Sequence, residues 1–100
     1  MSRIQFRDEP WVRRIIYAER AKIAHARRME TDGRYDELYA RVIDALDLLL
    51  EYVTDEVDDD AWSESVANVQ AQLIFAALKN SDRCDLFLEV SRVLSNWGLG

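Results

Sequence analysis

The apolar residues of this chain recur three and four positions apart over most of its length, and only a helix gathers such a pattern onto one side. Between about 34 and 56 the stripe runs Tyr35, Tyr39, Val42, Leu46, Leu49, Val53, widened by Leu38, Ile43, Ala45 and Leu50. Trp62, Val66, Val69, Leu73, Ala76 and Ala77 repeat it over 60–79, and Leu86, Val90, Val93, Leu94 and Trp97 over 82–96. Val12, Ile15, Ile16, Ile23 and Ala26 supply it for 9–31. Turn signals separate the segments. Asp8 and Pro10 suit a helix start, and Thr31-Asp32-Gly33 predicts a helix end with Gly33 in the left-handed conformation. Asp58-Asp59-Asp60 and Asn80-Ser81-Asp82 predict N-caps, and Asn96-Trp97-Gly98 predicts the stop of the last segment. Short turns make successive helices antiparallel neighbours, so residues 1–100 read as one all-α domain, a four-helix antiparallel bundle.

Two residues or runs do not fit a plain bundle. Leu73-Ile74-Phe75-Ala76-Ala77-Leu78 is apolar all round, which predicts either a central position or a subunit interface, and so a homodimer. Glu19 falls inside the apolar arc of the first helix, where a carboxylate needs a partner; Lys22, one turn on, is the expected one.

Composition narrows the function. A single cysteine, Cys84, excludes a disulfide framework and a multi-thiolate metal site. Neither a membrane-spanning run nor a signal-peptide core is present, which predicts a soluble, cytoplasmic domain with no membrane partner. The net charge of -6 argues against a generally cationic nucleic-acid binder. That charge is sorted along the chain. Residues 1–28 carry eight bases and three acids (+5), and residues 29–100 carry five bases and sixteen acids (-11). No Lys or Arg occurs from Val42 to Leu78, a stretch of 37 residues holding nine acids.

On the second helix Asp36, Glu37, Asp44, Asp47, Glu51 and Asp55 read as one arc opposite the core, facing water, so that neighbouring helices cannot neutralise most of it. Glu56, Asp58, Asp59, Asp60 and Glu64 extend it into a ridge ending near Tyr52 and Trp62. These acids with Trp62 form the candidate partner-binding surface. Arg13, Arg20 and Arg27, seven apart, form a basic strip flanking the apolar face of the first helix and are the candidate nucleic-acid contacts. Direct nucleic-acid binding is nonetheless not expected, because the acidic remainder opposes it.

Sites for chemistry are sparse. The three aspartates lack the alternating ligands, glycine and terminal glutamate of a calcium loop, and His25 is the only histidine. No catalytic residue, metal ligand or cofactor is expected. The segment Arg20-Ala-Lys-Ile-Ala-His25 resembles the Arg-x4-His motif of the HEPN ribonucleases, which implies Arg20 as phosphate ligand and His25 as acid/base. It departs from that family in lying in the first helix and in having Ala after Arg20. In overall profile (short, helical, acidic, without catalytic residues) the chain is similar to the small inhibitors phages direct against bacterial defence, the anti-CRISPR and anti-restriction proteins. Acidic antitoxins share that profile. The resemblance implies a non-enzymatic inhibitor whose acidic face blocks a basic nucleic-acid-binding protein or complex. A homodimeric helical regulator or adaptor is the alternative.

Overall fold

The structure, a computed structural model, describes residues 10–54 and 58–96. Four helices follow one another: α1 (Pro10–Met29), α2 (Asp36–Thr54), α3 (Asp59–Lys79) and α4 (Cys84–Asn96). Single 3-10 turns, Gly33–Tyr35 and Ser81–Arg83, lead into α2 and α4. Among the described residues there is no strand, and no helix is long and apolar enough to cross a membrane. Asp8, Asp55, Glu56 and Trp97 lie outside the described residues.

Each helix packs on its neighbour in sequence, while α1 and α4 touch less extensively. Cross-helix pairs give the directions. Arg20 meets Asp47 and Arg27 meets Asp36, so α1 and α2 run antiparallel; Gln70 meets both Ser91 and Ser95 across α3 and α4. One pole of the bundle therefore gathers the start of α1, the end of α2, the start of α3 and the end of α4. The other gathers the opposite ends.

The predicted stripes form the core. Tyr39, Val42, Leu46 and Leu49 are fully buried on α2, as are Val12, Ile16 and Ile23 on α1 and Leu73 on α3. On α4 the buried residues are Phe87, Val90 and Leu94, whereas Leu86 is half-buried at the edge. The Phe87 ring lies 5.5 Å from the Tyr39 ring at 43°, which ties the first turns of α4 and α2 together inside the core.

Helix ends depart from the sequence expectation in two places. Gly33 does not adopt a left-handed conformation; it opens the 3-10 turn, whose N-cap Asp32 accepts a hydrogen bond from the Arg34 N–H. Asn80 makes no side-chain cap; its amide is fully buried, and its carbonyl accepts from the Arg83 N–H. Asp58 does cap α3, accepting from the Ala61 N–H at 2.7 Å.

Of the two positions expected for the apolar end of α3, the single chain does not give the central one. Leu73, Ala76 and Ala77 face the core, but Ile74, Phe75 and Leu78 are 48%, 40% and 78% exposed. Glu19 is buried as its arc implies, and the Lys22 ammonium meets its carboxylate at 3.0 Å.

Candidate functional site

The helical period divides the acids of α2 into two lines that the sequence reading merged into one. Asp36 and Asp47 are eleven residues apart, about three turns, and so share the edge facing α1. Glu37, Asp44 and Glu51 recur every seven residues on the line facing away from the core.

The edge line is neutralised. Arg20 Nε donates to Asp47 Oδ1 at 2.6 Å, and Arg27 donates through Nε and Nη2 to both oxygens of Asp36 at 2.7 and 2.9 Å. The forked Arg27–Asp36 pair holds the Asp36 carboxyl below its ordinary range, chiefly through the hydrogen bond from Arg27. Two acids of the arc are thus paired across to α1, where the sequence set the whole arc facing water. The cause lies in the arginines: a strip flanking the apolar face of α1 borders the adjacent helix, so two of its three members are spent on α2 rather than offered to phosphate. Arg13, the third, is exposed. On the outward line Glu37 pairs with Arg41 one turn on, at 3.0 Å.

The acids toward the other pole are placed differently. Asp44, Asp58, Asp60 and Glu64 are exposed, and among the described residues none of them has an ion pair within 4 Å. Glu51 is exposed and Asp59 half-buried on the same side. Beside them, a cleft of about 230 Å³ between α2 and α3 is lined by Leu48, Tyr52, Ala61, Glu64, Ser65 and Asn68. The Ser65 hydroxyl is buried there and has no hydrogen-bond partner among the described residues. Trp62 packs against the core, half-buried, so it is at most the margin of this surface.

The opposite pole holds a polar cluster that the sequence did not single out. The Tyr39 hydroxyl donates to Glu30 Oε2 at 3.0 Å, and the Asp32 N–H donates to Glu30 Oε1. These hydrogen bonds, the backbone one first, keep the Glu30 carboxyl below its ordinary range. The buried Asn80 amide stands next to it without a hydrogen bond of normal geometry. Burial, then the Glu30 contact, pushes the Tyr39 phenol up to about 12. A phenol whose folded value lies above its unfolded value of 10 stabilises the fold fully below pH 10. That contribution is lost as pH rises from 10 toward 12. Tyr39→Phe is therefore expected to remove a late-titrating phenol from the absorbance titration and flatten stability across that window. A titration unchanged by the substitution would rule out this assignment.

His25 is exposed and lines an open groove of about 520 Å³ between α1 and α4 with Lys22, Met29, Arg83, Leu86 and Glu89. Arg20, its partner in the HEPN-like spacing, is bound to Asp47. Among the described residues no group of three His, Cys, Asp or Glu side chains is placed to hold a metal ion. Comparison of the chain with protein-family models, curated proteins and solved structures returned no match.

Proposed function

We propose that this chain is a non-enzymatic binding protein that sets its acidic pole against a basic, nucleic-acid-binding surface of a partner protein and blocks it. The observation that carries the reading is the division of the acids of α2. Asp36, Glu37 and Asp47 are held by Arg27, Arg41 and Arg20, while Asp44, Asp58, Asp60 and Glu64 are exposed and have no ion pair within 4 Å among the described residues. With Asp36, Glu37 and Asp47 paired, the contact surface among the described residues is Asp44, Glu51, Asp58, Asp59, Asp60 and Glu64. Basic grooves on proteins exist largely to hold phosphate, and a concentrated acidic surface competes for them by electrostatic complementarity. The Leu48–Tyr52 cleft adds apolar contact of the kind that takes the stem of an arginine or lysine.

The proposed target class is a CRISPR-Cas or other host-defence complex, met in the cytoplasm, in keeping with the profile of phage-type inhibitors. The test combines Asp44→Lys, Glu51→Lys and Asp60→Lys, with helicity checked by circular dichroism. The wild-type chain is expected to bind a purified nucleic-acid-binding protein in competition with that protein's own DNA or RNA. The triple reversal is expected to weaken binding at least ~10-fold, about 1.4 kcal/mol. A partner bound equally well by the reversed chain, or bound together with its nucleic acid, would refute the proposal.

A further inference from the structure

The outward side of α3 carries a second pattern, independent of the core stripe. Glu64, Ala67, Ala71, Ile74 and Leu78 follow at spacings of three, four, three and four, and all five are exposed. That is the period of a coiled-coil seam, the spacing that lets a second helix lie against the first. The seam is graded. Large apolar side chains, Ile74, Phe75 and Leu78, fill the end near Lys79; alanines occupy the middle; Glu64 closes the other end. Lys79 extends over the Phe75 ring at 5.5 Å and has no ion pair among the described residues.

We infer that α3 associates with α3 of a second copy in an antiparallel, two-fold arrangement centred on Ala71. The gradient selects the occupant and its direction. About that centre Phe75 lies four residues on and Ala67 four residues back, so Phe75 and Ile74 rest on the alanines of the other helix, while Leu78, seven on, lies against the stem of Glu64, seven back. Lys79 lies eight residues on, about 12 Å, and Glu64 seven back, about 10.5 Å, which brings each ammonium to the carboxylate of the second copy. A parallel pairing would set lysine beside lysine and glutamate beside glutamate, while the two-fold operation makes one surface complementary to itself. One helix per protomer gives an interface at the small end of the specific range, so the dimer is in exchange with monomer. The seam leaves Asp44, Glu51 and Asp58 clear and shares Glu64 with the proposed contact surface; self-association is read on the chain alone, whether or not the acidic pole has a protein target.

Sedimentation equilibrium of the full chain tests this directly. The expected result is a monomer–dimer equilibrium in the roughly micromolar range. Leu78→Asp is expected to weaken it at least ~10-fold without loss of helicity, because the side chain is 78% exposed in the monomer. Glu64→Lys and Lys79→Glu should each weaken association, and the two together should restore it. The inference fails if the chain stays monomeric up to about 1 mM, if Leu78→Asp dimerises as the parent does, or if the charge swap gives no rescue. Binding of an unrelated protein to this face of a strictly monomeric chain would equally overturn it.

Discussion

Phe87→Ala is expected to cost about 3–5 kcal/mol, enough to bring the domain near its unfolding threshold. Phe87 is fully buried in the first turn of α4, and its ring is the bridge to Tyr39 on α2. α4 is the shortest of the four helices at 13 residues, and its contact with α1 is sparse. Truncation therefore leaves a void at the point where α4 has least else to hold it. For a domain of this size the loss corresponds to a drop in Tm of at least ~12 °C. Urea unfolding measures it, with an unchanged slope showing that the folded state persists. A loss below about 1 kcal/mol would mean that the core closes around the gap and that Phe87 is not its keystone.

Lys22→Met is expected to be the most damaging surface substitution, at roughly 2–3 kcal/mol. Glu19 has a side chain only 4% exposed, and Lys22, 42% exposed, donates to its Oε1 at 3.1 Å with the ammonium 3.0 Å from Oε2. Removing the lysine leaves a carboxylate in the core with no other ion pair among the described residues; the exposure of Lys22 keeps the effect below that of a fully buried pair. The asymmetry is the test. Glu19→Leu should be neutral or stabilising, because it replaces the ion with an apolar side chain in an apolar arc. The double variant should resemble Glu19→Leu rather than the sum of the singles. If Lys22→Met is neutral while Glu19→Leu destabilises, the carboxylate is held by something other than Lys22.

The helices themselves were legible because α2 repeats its apolar residues with little ambiguity: Tyr39, Val42, Leu46, Leu49 and Val53 are all buried. α4 was harder, since Leu86, Phe87 and Leu88 are consecutive and each looks suited to the core. Counting back from Leu94 through Val90 by four and three selects Phe87, a signal present in the sequence but masked by its neighbours. Asp36 and Asp47 were misplaced for a related reason. A broad arc drawn opposite the stripe includes residues on its margins, and on a bundled helix those margins border another helix. The outward Asp44 and Glu51 do lie where the arc put them. Gly33 and Asn80 were read as turn chemistry, but the turns are closed by Asp32 and by the Asn80 main chain, an outcome that depends on packing at the pole.

The two arginine–aspartate pairs between α1 and α2 act as opposed stays. Along α1 the arginines are seven residues apart, about 10.5 Å, while along α2 the aspartates are eleven apart, about 16.5 Å. The side chains must lean away from each other to meet their partners, one toward each pole. Sliding α1 by one turn in either direction would slacken one pair and pull the other apart by about 5.4 Å. Apolar ridges alone permit such a slip at modest cost, because one turn of helix presents much the same surface as the next. The charges that the composition counted as a cationic arm thus set the register between two greasy faces.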